Sequence, residues 1–327
     1  MKWNFFAATL SVVLPIASIA ALAQGDDGVQ NAGPQQYWAP ADKYSDAINK
    51  PLAGAVNQGK FDMKTWKYGP AANIPPGATR IWNPAMIKLK NGGKLFSATV
   101  SGSATPEAYC TEAVKPENDF IWTEMQHAPG TWHDVANMWA GCPAAHAIPG
   151  ARISYENERE EQQALDGGAL WLSVPTIRNP QEAQLAANWA FYPPLGHRSN
   201  GGGAANMWSK LSGGNYRQTI NDNLILVLMI ETLDGIASAE KIAQTKGITA
   251  VFAASGDLGN FSGYSQGGPD YERLINVVHD AAIKAKIHLC GPGAWANRPN
   301  FTCFQGNLPV PGGRRGGRGG AAPAAAQ

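Results

Sequence analysis

The sequence predicts an α/β fold, a (β/α)8 TIM barrel with an N-terminal extension and a disordered C-terminal tail. Two observations carry that expectation. Eight short β-rich apolar runs alternate with helical stretches, the signature of parallel βα units. The stretch VSGSATP at 100–106 lacks the GxGxxG spacing with which a doubly wound open sheet usually grips a nucleotide. The 327 residues, 44% hydrophobic and 16% charged, suffice for one large globular domain or two small ones. A formal net charge of +1 gives no overall electrostatic case for nucleic acid or an anionic membrane. Small molecules are the expected ligands.

From the N-terminus, Lys2, an apolar stretch from Phe5 to Ala20 and Ala21-Leu22-Ala23 before Gln24 read as a secretory signal over residues 1–23. Its shortness and Pro15 argue against a spanning helix, so the expected protein is secreted or periplasmic and free of the membrane after cleavage. Export allows disulfides among Cys110, Cys142, Cys290 and Cys303, with three pairings open; none sits in a CxxC, and no structural zinc site is expected. Residues 24–80 are rich in Gly, Pro, Asn and Gln, carry Tyr37, Trp38, Trp66 and Tyr68, and read as an extension. The barrel is assigned to 81–307. The Gly, Pro, Ala and Arg tail at 308–327 is too poor in apolar side chains to fold.

Inside the barrel the expected strands are KLFSATVS (94–101), DFIWTEM (119–125), ARISY (151–155), ALWLSVP (169–175), LILVLMIE (224–231), ITAVFAAS (248–255), IHLCGPG (287–293) and FTCFQG (301–306). Helix starts are signalled by Thr105-Pro106, by Asn157 with Glu160, and by Asn179-Pro180 with Glu182. Trp132, Val135, Ala136 and Trp139 fall on one helical face, as do Leu274, Val277, Val278 and Ala281; these stripes are core. Only AWANRPN links the last two strands, and no final barrel helix follows FTCFQG.

A barrel gathers its reactive groups where strands end and loops begin. That rule collects Glu124 and His127 after the second strand, Arg152 from the third, Glu231 closing the fifth and Asp257 beyond the sixth. Glu231 and Asp257, from neighbouring strands, are hard oxygen donors suited to Mg²⁺ or Mn²⁺, with Co²⁺ also acceptable. A 2-oxo acid would chelate such an ion, which polarises the carbonyl as a Lewis acid. Arg152, permanently charged and fork-shaped, is placed to take up developing oxygen charge, with an ion pair to Asp166 as its alternative role. His127 is the candidate base, with Glu124 orienting its ring. His133, His146, His197, His279 and His288 lack such settings and are read as structural. Arg198, in YPPLGHRSNGGG at 192–203, is placed in a loop near the mouth in a structural role.

NPAMIKLKNGG, FIWTEMQHAP, ALDGGALWLSVPTIRNPQEA, YPPLGHR, LMIET, VFAASGDL and GGPDYERLI follow one another as in the HpcH/HpaI family of metal-dependent pyruvate aldolases, which the chain resembles from about Trp82 to Gly306. The resemblance implies an aldolase that cleaves a 4-hydroxy-2-oxo acid to pyruvate and an aldehyde, its partners being these small molecules. It implies His127 as base, Arg152 as the arginine that stabilises the enolate, Glu124 and Asp166 as supporting acids, and Glu231 and Asp257 as metal ligands. Substrate contacts are implied for Arg152, Pro175, Ser255 and Gly256. A homo-oligomer is compatible, but its form does not carry over without the last helix. Glu124 stands where the family has aspartate, Gln126 where it has glutamate, and Met229 where glutamine is common. A related malyl- or citramalyl-CoA lyase is a second reading, and Gln126 and Met229 motivate a third, a barrel that binds an oxo acid without turning it over.

Overall fold

The computed structural model describes residues 81–193, 195–201, 208, 216–253 and 256–306. The expected signal, the extension to residue 80 and the tail lie outside the described residues. Within them, eight strands form one parallel sheet in sequential order: β1 (Ser97–Ser101), β2 (Phe120–Glu124), β3 (Ile148–Arg152), β4 (Trp171–Val174), β5 (Ile225–Met229), β6 (Ala250–Phe252), β7 (His288–Pro292) and β8 (Phe301–Gln305). The ring closes at its base through a parallel bridge between Leu95 and Cys303. There Leu95 donates its N–H to Thr302 O at 2.8 Å and accepts from Phe304 N at 2.9 Å. The result is a nearly closed (β/α)8 barrel.

The helices are α1 (Pro84–Lys90), α2 (Pro106–Ala113), α3 (Trp132–Ala140), α4 (Glu158–Gly167), α5 (Pro180–Ala190), α6 (Tyr216–Asn223), α7 (Leu233–Ala243), α8 (Gly256–Ser262) and α9 (Pro269–Ala285). The starts expected from sequence are all seen. Thr105, Asn157 and Asn179 accept the N–H of Ala108, Glu160 and Glu182 through their side chains, satisfying donors that a helix leaves orphaned. On α3 the buried face is Trp132, Val135, Met138 and Trp139, with Ala136 at its edge. On α9 it is Tyr271, Ile275, Val278, Ala281 and Ala282; Val277, expected in the stripe, is 44% exposed. Among the described residues no helix is long and apolar enough to cross a membrane.

Strand alternation sorts side chains between lumen and helices. In β2, Phe120, Trp122 and Glu124 share the inward face: Phe120 stacks on Trp171 of β4 at 3.8 Å, and Trp122 meets Phe252 of β6 at 5.8 Å. Outward Thr123 accepts the indole N–H of Trp139 on α3. Strand β3 begins at Ile148, three residues before the expected run. Pro149 and Gly150 look like breakers in sequence, yet Gly150 is required: a Cβ there would lie 2.8 Å from Ile121 O and 2.8 Å from Trp171 Cβ. At the base, the Asn223 side chain before β5 accepts the N–H of Trp82 and Asn83, and Asn83 Nδ2 donates to Asn223 O, tying the start of α1 to the far side of the barrel.

Residues 293–300 carry β7 to β8 with one 3-10 turn, Gly293–Trp295, in place of a helix. Parallel strands ordinarily need a crossover of a dozen residues or more. This one is braced by Arg298, which forks onto Glu272 of α9 at 2.7 and 2.8 Å and stacks over Trp295 at 3.6 Å. A disulfide between Cys290 and Cys303, paired neighbours in β7 and β8, staples the two strands. A second, Cys110–Cys142, joins α2 to the end of α3. Replacing Cys290 and Cys303 together by alanine is expected to lower the unfolding free energy by about 3 kcal/mol, the chain-entropy value for a closed loop of this size, in urea denaturation.

Glu161 of α4 is fully buried, and neither carboxylate oxygen has a hydrogen-bond partner. Burial first, then the charge of Glu156, pushes its carboxyl well above the usual range, with Arg198 opposing. Burial and Glu182 raise Glu156 to about 7. Unfolded glutamates release their protons near 4.5, whereas these two hold them to higher pH in the fold. Between pH 4.5 and about 7 the folded state therefore binds more protons, and stability falls as pH rises. Thermal melts across that window are expected to show this slope, flattened in Glu161→Gln.

Candidate active site

Parallel pairing puts the carboxyl ends of all eight strands on one rim, where Glu124, His127, Arg152, Glu231 and Asp257 lie. Glu124 ends β2 directly beside Arg152, which ends β3. Their inward side chains form an ion pair: Glu124 Oε2 accepts from Arg152 Nε at 2.8 Å and Nη2 at 2.5 Å, with both side chains only 11–12% exposed. The same oxygen accepts Trp122 Nε1 at 3.2 Å, and the guanidinium lies over the Trp122 ring at 5.8 Å. Trp122 is thus the floor on which the pair rests, a role that its inward parity in FIW could have signalled.

The other oxygen, Glu124 Oε1, accepts the backbone N–H of Gln126 at 2.8 Å and of His127 at 3.1 Å. This corrects one expectation. Glu124 orients the backbone bend that carries His127, not the imidazole. The ring is exposed at the rim and makes no hydrogen bond to another described residue. His127 therefore fills a bend and leaves its imidazole exposed at the rim.

Glu231 follows β5 and is 1% exposed. Its Oε1 accepts the backbone N–H of Thr176 at 2.8 Å and the Thr176 hydroxyl at 3.0 Å. Its Oε2 is buried with no hydrogen-bond partner. An unpartnered buried carboxylate oxygen is costly unless a hydrogen-bond donor, a proton or a cation meets it. Thr176 itself has φ +56°, a left-handed conformation that is a true outlier for a β-branched residue and costs of order 1–3 kcal/mol. Sequence reasoning missed Thr176, because positive φ is signalled by glycine or asparagine and not by threonine.

Asp257 lies in the first turn of α8, just beyond β6, half-buried. β5 and β6 are paired neighbours, so the Glu231 and Asp257 backbones leave adjacent strands on the same rim. Among the described residues no three metal-type side chains converge. Glu231 and Asp257 are by their chemistry hard oxygen donors, the kind that would suit Mg²⁺ or Mn²⁺. Pro175, buried, ends the β4 segment next to Thr176, and Gly256 opens α8, exposed; Ser255 lies outside the described residues.

Asp166 is placed elsewhere. It sits at the C-terminal end of α4, ahead of β4, and so on the opposite face of the barrel. Its Oδ1 pairs with Arg198 Nη2 at 2.5 Å, and Arg198 follows α5 in another αβ connection, its guanidinium also over Tyr192. Within this chain Asp166 does not join Glu124, Arg152 or Glu231, nor does it pair with Arg152. The described residues 192–193 and 195–201 of the loop expected near the mouth belong to that far face too. The physical reason is antiparallel travel: a residue just before a strand lies at the barrel's base.

Three comparisons bear on this arrangement. The family profile described as HpcH/HpaI aldolase/citrate lyase matches residues 102–292. A 2-dehydro-3,6-dideoxy-6-sulfogluconate aldolase of Pseudomonas putida is 29% identical over 169 residues, covering 51% of this chain and 65% of that protein. A 4-hydroxy-2-oxo-heptane-1,7-dioate aldolase of Escherichia coli is 27% identical over 177 residues, covering 54% of this chain and 66% of that protein. The chain thus spans just under two thirds of the length of these relatives. A solved HpcH/HpaI aldolase/citrate lyase family protein from Burkholderia cenocepacia superposes with a TM-score of 0.61 at 24% identity, over 69% of this chain and 93% of that one, a likeness of fold.

The Glu124–Arg152 pair is testable without substrate. A double-mutant cycle with Glu124→Ala and Arg152→Ala, read by urea denaturation, is expected to give a coupling of about 1–3 kcal/mol. Additive losses would mean that the two side chains ignore each other.

Proposed function

Since the chain belongs to the HpcH/HpaI aldolase/citrate lyase family, we propose that it is a divalent-metal-dependent carbon–carbon lyase, an aldolase that cleaves a 4-hydroxy-2-oxo acid to pyruvate and an aldehyde. The observation that carries this reading is Glu231, a buried carboxylate with two donors on one oxygen and none on the other, on the same rim as an inward arginine. Glu231 and Asp257 would hold the ion, Mg²⁺ or Mn²⁺ with Co²⁺ acceptable, and when bound it would polarise the 2-oxo group and favour charge on that oxygen.

The remaining steps fall to the chain's own side chains. His127 accepts the proton of the C4 hydroxyl, directly or through one water, as the C3–C4 bond breaks and the aldehyde forms. The electron pair of that bond moves into pyruvate enolate, whose oxygen charge meets the Arg152 guanidinium, pre-oriented by Glu124 and Trp122. The enolate then takes up a proton at C3 and leaves as pyruvate. Pro175 and Gly256 border the same rim and complete the substrate contacts with Arg152. The two disulfides suit an oxidising compartment and support the reading that the protein is exported.

Pyruvate in heavy water isolates the enolate-forming half. NMR is expected to show exchange of the methyl protons that depends on Mg²⁺ or Mn²⁺ and falls about 10²- to 10⁴-fold in His127→Ala. Pyruvate binding without exchange would instead mark a barrel that holds an oxo acid and does not turn it over.

A further inference from the structure

We propose that Thr176 is a positioning residue for Glu231, spending one carboxylate oxygen on its two donors so that the other is left to bind the cation. The inference rests on the reading of Glu231 as a metal ligand and goes one residue beyond it. Thr176 touches neither substrate nor ion in this role; it acts through the carboxylate.

The geometry at the end of β4 is over-determined. Pro175 restricts the backbone immediately before Thr176. Immediately after it, Ile177 donates its N–H to Met229 O at 3.0 Å, locking the corner onto β5. From outside, α7 presses against the corner: a Cβ on Gly235 would stand 2.5 Å from Ile177 O, an approach open only to glycine. Held between these restraints, Thr176 takes φ +56° and brings its N–H and its Oγ1 to the same oxygen, Glu231 Oε1, at 2.8 and 3.0 Å.

Residue identity is the informative point. Glycine would adopt this backbone without strain and would still offer the N–H. A β-branched residue is the costlier choice for the position, and what it adds is the hydroxyl. That hydroxyl gives Oε1 its second donor and fixes the rotation of the carboxylate, so that Oε2 is the oxygen without a partner. Groups that orient metal ligands in this way typically change metal affinity by 10- to 100-fold when removed.

The test is Mn²⁺ binding to the full chain, followed by the loss of the free-ion electron paramagnetic resonance signal on titration, with melting temperatures of the metal-free proteins alongside. Thr176→Val keeps the shape and drops the hydroxyl; Thr176→Gly relieves the backbone and drops the hydroxyl; Thr176→Ser keeps the donor. Valine and glycine variants are expected to bind Mn²⁺ about 10-fold or more weakly, with serine retaining most of the affinity. Because glycine tolerates the backbone, its loss of affinity without loss of melting temperature separates positioning from folding, even should the valine variant not fold. Wild-type affinity in Thr176→Gly, with Glu231→Gln unable to bind, overturns this inference alone. Wild-type protein that takes up no Mn²⁺, or Glu231→Gln that binds it undiminished, overturns the metal reading and this inference with it.

Discussion

The site depends on the unbroken parallel order of the eight strands. Because each strand runs the same way and pairs with its sequence neighbour, residues more than a hundred positions apart, such as Glu124 and Glu231, reach one rim without any long-range recognition between them. The inward face then ranks them by depth. Trp122 and Phe252 fill the lumen below; Glu124 and Arg152 stand one layer above; and the loops that carry His127 and Thr176 spring from the rim itself. Charge is therefore concentrated on an aromatic floor, where the local dielectric is low and a fixed guanidinium acts more strongly than it would in water.

Keeping that order to the last strand is the costly part. The β7–β8 crossover is too short for a packed helix, so the apolar area that a helix would bury between these strands and their neighbours is absent from the described fold. What holds β8 in place is local and specific: the Cys290–Cys303 bond across the pair, the Arg298 fork onto α9, and the Leu95 bridge that closes the ring. Covalent linkage substitutes for packing here. The same logic stabilises small exported domains whose cores are limited.

Much of this was legible in the sequence, and the failures have definite causes. Short β-rich apolar runs located all eight strands, and Asx and Thr caps located three of the helix starts, because both signals are local. Strand β3 began early because Pro149 and Gly150 read as breakers until a neighbouring tryptophan side chain shows that only glycine fits. The cysteine pairing was open because four thiols allow three solutions and only the register of β7 with β8 selects among them. Family resemblance makes Asp166 a supporting acid, although its place just ahead of a strand assigns it to the base. Thr176 could not be read at all: its importance lies in a backbone angle that its side chain disfavours.

Three carboxylates of low exposure differ in what their oxygens meet, which is why the proposed metal reading falls on Glu231. Glu124 is saturated, its two oxygens taken by an arginine, an indole and two backbone N–H groups, so a metal would have to displace partners that it already has. Glu161 is the reverse: both oxygens lack partners, and the charge of Glu156 repels its own, so protonation relieves it without any ligand. Glu231 stands between these extremes. One oxygen is fixed by two donors, which sets the orientation of the group, and the other is buried and unmet. A carboxylate half satisfied in this way gains from a single point charge arriving from one direction. In the proposed reading, Asp257, carried to the same rim just beyond the neighbouring strand, would be the second hard-oxygen donor.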